Sequence, residues 1–320
     1  MSVKVGIPRA LLYYHYYPAW NAFFTALGAE VVLSGETTKT ILDNGVRAAV
    51  DEACLPVKLY LGHLADLHAK GVDFIFSPRV ISVERKKYLC PKFLGLPEIA
   101  RFGLPGLPQV LDTEININQS YEKTKRNIYR LASRFNRRPW VAGKAIKRAK
   151  LAQEIYESKL RCGATPLDAL CGKDPPQAAG KARIAVLGHA YNLNDPFISM
   201  NLVDKLRDFG VEVVTAEMLR PQDIRRGAAC LQKEIFWTFG KELMGAAFYL
   251  LEQGSIDGLV LVASFGCGPD SLTCELVERH YKRGKKIPVL MLTLDEHTGE
   301  AGVVTRLEAF CDMLHWRKAQ

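Results

Sequence analysis

The sequence lacks the common nucleotide-binding signatures. No Gly-x-x-x-x-Gly-Lys-[Ser/Thr] occurs, and no Gly-x-Gly-x-x-Gly follows the first strand-like stretch; any ATP used would therefore be bound by another chain. None of its eight cysteines forms a Cys-x-x-Cys pair, which argues against a closed zinc module built from two close pairs. No apolar run approaches the roughly 20 residues of a membrane helix. The opening Met1-Ser2-Val3-Lys4-Val5-Gly6-Ile7 also lacks the charged-then-apolar layout of a signal peptide. The expectation is a cytoplasmic protein that meets no membrane. In that reducing compartment eight cysteines do not form a disulfide framework, so metal ligation or burial has to explain them. No recognised nucleic-acid-binding fold or interleaved aromatic pattern is visible, and no nucleic-acid partner is expected.

What is present suits a globular chain. Of 320 residues, 48% are hydrophobic and 24% charged, enough for two domains. Strand-like runs at residues 3–7, 30–33, 73–76 and 109–112 alternate with helical periods at 10–27 (interrupted at Pro18), 38–50 and 56–70. A second series at 183–187, 211–214, 258–262 and 288–294 repeats the alternation, with a turn expected over 188–192 and a helix near 197–209. This order predicts an α/β fold of two Rossmann-like parallel-sheet lobes, residues 1–118 and 183–320, with a site in the cleft between them. A basic helical connecting region, residues 119–182, joins the lobes and ends in a linker from 163 to 182 that holds Pro175-Pro176. Between Tyr121 and Arg161, 13 Lys and Arg face three acids, which accounts for the formal net charge of +9. That stretch suits an acidic partner or coenzyme phosphates, or is simply a solvated face.

Three stretches share one grammar: Asp51-Glu52-Ala53-Cys54-Leu55-Pro56, Tyr88-Leu89-Cys90-Pro91 and Ser264-Phe265-Gly266-Cys267-Gly268-Pro269. In each a cysteine precedes a proline by one or two residues, which places Cys54, Cys90 and Cys267 at or just before a helix start. Outward-pointing N–H groups there favour a thiolate and an anionic cluster. Cysteine followed by proline also recurs at iron–sulfur ligands. Three converging thiolates leave one metal position open. Small buried hydrophobes are the alternative.

Cys274, seven residues along the same expected helix, is about 10 Å from Cys267 along the axis and a poor fourth ligand. Cys311 reads as core, Cys162 and Cys171 bracket the linker, and Cys230 has no evident partner. Arg9 and Arg79 lie just past expected strands, where they would balance a cluster's charge, hold a carboxylate or phosphate, or form surface ion pairs. In Asp295-Glu296-His297-Thr298-Gly299-Glu300, the groups Glu296, His297 and Glu300 are candidate acid–base residues, unless Asp295 or Thr298 merely caps the next helix. His189 and Tyr191 share such a position after residue 187.

With these residues in view, the chain resembles the 2-hydroxyacyl-CoA dehydratase superfamily, in particular its activase-related (CoA-dehydratase-activator-associated) branch. The likeness runs through Gly6-Ile7-Pro8-Arg9-Ala10-Leu11, Asp51 to Pro56, Cys90-Pro91-Lys92-Phe93-Leu94-Gly95-Leu96-Pro97, Phe265 to Asp270 and Leu294 to Glu300. The resemblance implies a 4Fe-4S cluster held by Cys54, Cys90 and Cys267, in an anaerobic setting. It implies an ATP-dependent activase on a separate chain that delivers low-potential electrons, and an acyl-CoA or other small molecule as substrate. A dehydratase-like lyase and an ATP-dependent reductase component are both compatible with it. So are a non-enzymatic cluster carrier or activase-binding partner and a double-cubane-type reductase, in which a second cluster pairs with the first, here across a homodimer.

Overall fold

The computed structural model describes residues 2–175, 180, 182–231, 233–284 and 287–319. The chain divides into two compact units, Met1–Ser158 with Phe236–Thr238, and Lys159–Ile235 with Phe239–Gln320. Its strands are β1 (Lys4–Ile7), β2 (Glu30–Leu33), β3 (Phe74–Phe76), β4 (Arg79–Ser82), β5 (Gln109–Leu111), β6 (Glu114–Asn116), β7 (Ala182–Gly188), β8 (Val211–Val214), β9 (Gly258–Ser264) and β10 (Val289–Leu294). The first unit holds a parallel sheet ordered β2-β1-β3-β5, and the second a parallel sheet ordered β10-β9-β7-β8. The α/β class expected from the alternation is therefore observed. In each sheet the chain begins in an inner strand and crosses back through helices, as parallel pairing requires.

All seven residues of β9 are buried, so Gly258-Leu-Val-Leu-Val-Ala-Ser264 reads as a near-continuous apolar run rather than an alternating one. Leu187, Leu259 and Leu261 pack there with Leu243, Met244, Val277 and Tyr281 in the core of the second unit. The Tyr281 hydroxyl donates to the Ala247 carbonyl at 2.7 Å, which satisfies the one polar atom of a fully buried ring.

The helix expected to break at Pro18 is continuous over Tyr13–Ala26. Proline brings no N–H to the carbonyl four residues back, which is Tyr14. That carbonyl instead accepts the Tyr156 hydroxyl at 2.6 Å, and the neighbouring His15 carbonyl accepts Gln153 Nε2 at 2.9 Å. Both donors come from the helix Pro139–Arg161, so a sequence defect is repaired by a tertiary contact. The helical period from Ser120 to Arg161 is two helices, Tyr121–Ser133 and Pro139–Arg161, parted where Pro139 starts the second. A two-stranded parallel sheet, β4 with β6, occupies ground expected to be loop.

Two helices of the first unit, Lys39–Ala48 and Leu55–Ala69, cross at glycine. A Cβ on Gly62 would lie 1.9 Å from the Ile41 carbonyl oxygen, and one on Gly45 the same distance from that of Lys58. Only hydrogen at both positions permits the crossing. In the expected linker, Thr165 caps a short helix, Pro166–Leu170, through a reciprocal bond with Asp168, and Arg207 pairs with Asp168 at 2.9 Å. Pro176, residues 177–179 and residue 181 of that linker lie outside the described residues. Among the described residues no helix is long and apolar enough to cross a membrane.

Candidate functional site

Each of the three cysteines stands at a helix start. Cys54 is the N-cap of Leu55–Ala69, and Cys90 the N-cap of Pro91–Gly103; neither side chain makes a capping hydrogen bond. Their helices begin with proline in the first two positions, which dispenses with an amide that would otherwise lack a partner. The approach to Cys90 is fixed within the first unit: the Tyr88 N–H donates to the Phe236 carbonyl at 3.1 Å, and the Thr238 N–H to the Tyr88 carbonyl at 2.9 Å. The rings of Tyr88 and Phe236 stack 4.8 Å apart.

Cys267 precedes the helix Gly268–Gly284 of the second unit. Its carbonyl accepts the Ser271 N–H at 3.1 Å and the Ser271 hydroxyl at 2.8 Å. Gly266 turns the chain out of β9 with φ +75°, a left-handed conformation that favours glycine. In the neighbouring strand β7, Gly188 leads into His189, the N-cap of a short helix Ala190–Leu193 where a turn was expected. Since β7 and β9 are hydrogen-bonded neighbours, their carboxyl ends bring residues about 80 positions apart into one place, where open α/β sheets bind ligands.

What gathers there is a nitrogen, a sulfur and a carboxylate. One ligating atom each from His189, Cys267 and Asp270 lies within 4.8 Å of the others. His189 Nε2 is 2.7 Å from Asp270 Oδ1, with the side chains 7% and 1% exposed. Burial alone would lower the His189 pKa. Asp270 opposes this by its charge and hydrogen bond, with Glu242 and Glu217 adding to it, and the imidazole is raised above its ordinary value. Asp270 Oδ2 has no hydrogen-bond partner, nor has the buried Nδ2 of Asn192. The Asn192 side-chain oxygen accepts the Ser264 hydroxyl at 2.8 Å, at the very end of β9. The rings of Tyr191 and Phe239 lie 5.0 and 5.7 Å from that of His189.

Sequence reasoning singled out Cys267 and placed His189 beyond a strand, but it gave Asp270 no role. The signal available was position: both His189 and Cys267 follow closely on a strand end, and Asp270 lies in the first turn of the following helix. Glu296, His297 and Glu300 are not members of this group. Asp295 accepts the Thr298 hydroxyl at 2.8 Å and the His297 N–H at 2.9 Å, and these bonds hold its carboxyl below the usual range despite opposing burial. Glu300 pairs with Lys205 at 2.7 Å.

Of the two arginines, Arg79 is engaged by the Leu94 carbonyl at 2.8 Å and by the Glu98 carboxylate. The Arg9 backbone N–H donates to the Ser34 hydroxyl at 2.8 Å, its Nη1 lies 3.9 Å from Glu36, and its buried Nε has no partner. Burial pushes the Cys274 thiol up to about 12 and the Cys311 thiol to about 11, so neither readily becomes a thiolate. Cys162, Cys171 and Cys230 are exposed.

Residues 4–219 match the family model described as the CoA enzyme activase uncharacterised domain. Among curated proteins none matches this chain. A solved C-terminal domain of glucosamine-fructose-6-phosphate aminotransferase from Francisella tularensis aligns over 99% of this chain and 86% of its own, at 13% identity and a TM-score of 0.23. That likeness is too slight to carry an argument.

Proposed function

We propose that this chain, which belongs to the CoA enzyme activase uncharacterised domain family, is a low-potential iron–sulfur protein. In this reading Cys54, Cys90 and Cys267 hold a 4Fe-4S cluster, and an ATP-dependent activase on a separate chain supplies its electrons. The observation that carries it is the common setting of the three cysteines: each stands at the start of a helix. Thiolate donors at helix N-termini fit an anionic cluster in chemistry and in charge. The thiols of Cys274 and Cys311 resist ionisation and are not expected to be ligands. When bound, such a cluster supplies one-electron reducing power at an iron that three protein ligands leave open. The chain's own residues would bind the substrate, an acyl-CoA or another small molecule, and shield the site from water.

The test is iron and acid-labile sulfide per chain after oxygen-free purification, for the parent and each Cys→Ala variant. Loss is expected for Cys54, Cys90 and Cys267, with retention for Cys162, Cys171, Cys230, Cys274 and Cys311. An iron-free parent of intact fold, or one whose iron survives removal of all three cysteines, would contradict the proposal. Addition of an acyl-CoA is expected to change the cluster's spectrum. Indifference to thioesters would point to a carrier rather than an enzyme.

A further inference from the structure

We propose that His189, Cys267 and Asp270 form a site of their own for a single divalent transition-metal ion of the zinc or ferrous-iron class. It requires neither Cys54 nor Cys90, so it goes beyond the cluster reading; the two occupants would compete for Cys267. One donor atom of each residue lies within 4.8 Å of the others, and a shared ion closes that spacing with small side-chain shifts. His189 and Asp270 are buried, and their facing atoms are 2.7 Å apart, so two of the three donors are already placed side by side. The second carboxylate oxygen of Asp270 and the amide Nδ2 of Asn192 are buried without partners. Asn192 is tied to Ser264, three residues before Cys267. Unpaired buried polar groups are costly unless a ligand or water completes them, and here they cluster at the two strand ends that bear the donors.

The donor chemistry narrows the ion. Thiolate and imidazole suit zinc and ferrous iron, while calcium and magnesium prefer all-oxygen sets. Three protein ligands leave a fourth position, as in catalytic rather than structural sites. The helix that starts after Cys267 adds N–H groups that favour the anionic donors.

The experiment uses the full chain carrying Cys54→Ala and Cys90→Ala, prepared metal-free without oxygen and titrated with Co²⁺ under an absorption spectrometer. About one equivalent of cobalt is expected to bind with an intense near-ultraviolet thiolate-to-metal band. The band should vanish when Cys267→Ser is added, and the affinity should fall at least about tenfold with His189→Gln or Asp270→Asn. Circular dichroism melts establish that each variant is folded, and Cys267→Ser, which leaves the His189–Asp270 pair in place, carries the test if the others unfold. A folded double variant that shows no thiolate band, or a band that survives Cys267→Ser, overturns the proposal. If the band appears only in protein retaining Cys54 and Cys90, this site is refuted and the cluster reading stands. If cobalt binds as expected but the parent never holds iron and sulfide, the cluster reading fails and this site stands.

Discussion

Each unit of this protein buries a histidine, and the two are driven in opposite directions. His63, in the helix Leu55–Ala69 of the first unit, is fully buried. Its Nε2 lies 3.0 Å from the Thr37 hydroxyl, and its Nδ1 has no partner. Burial is the largest influence and lowers its pKa to about 4; Asp66 opposes this, while Arg9 and Lys70 reinforce it. His189 suffers the same desolvation, yet Asp270 at 2.7 Å reverses the outcome. The difference teaches that burial by itself makes an inert, neutral imidazole, whereas an adjacent buried carboxylate makes a charged, directed one. The second setting is the one that stands beside a cysteine.

The strongest way to break the comparison is Asp270→Asn, which makes the surroundings of His189 resemble those of His63. Separating a buried pair leaves one member uncompensated, and a loss of about 3 kcal/mol at pH 6 is expected in denaturant unfolding. The pH dependence should change sign. In the parent the contribution of His189 is complete below the unfolded pKa near 6.5 and is lost as pH rises through its raised folded pKa. In the variant the buried imidazole resists protonation, so acid rather than base becomes unfavourable.

His63 yields the converse profile and nearly as large an effect. Its folded pKa is depressed, so as pH falls from about 6.5 to about 4 the unfolded chain takes up a proton that the native state refuses. The shift corresponds to about 3 kcal/mol of stability lost over that window, which His63→Gln should remove from the unfolding profile. Gly62→Ala tests what keeps the imidazole dry. Its methyl would meet the Ile41 carbonyl at 1.9 Å, and forcing the helices apart should cost about 2 kcal/mol and return the His63 pKa toward 6.5, read by NMR. The smallest effect is expected from Glu300→Ala, because Glu300 is 64% exposed in its pair with Lys205. Less than about 1 kcal/mol should be lost in thermal or chemical unfolding.

Much of the fold was legible because the strands of both sheets are short apolar runs with clear helical periods between them, Gly258 to Ser264 most plainly. Pro18 misled because its cost is local while its remedy, Tyr156 and Gln153, lies some 140 residues away in sequence. The strands β4 and β6 are no shorter than β3 and β5, but Arg79-Val-Ile-Ser82 and Glu114-Ile-Asn116 mix polar with apolar residues, so no apolar run marks them. The helix starts at Cys54, Cys90 and Cys267 were readable from proline and position alone. The pairing of His189 with Asp270 was not, because it depends on β7 lying next to β9, and no local pattern specifies which parallel strands become neighbours.

The contrast between the two units is tested most directly by the imidazole resonances of the metal-free chain, followed by NMR across pH. His189 should titrate above 6.5 and His63 near 4. Two histidines titrating together near 6.5 would contradict the account.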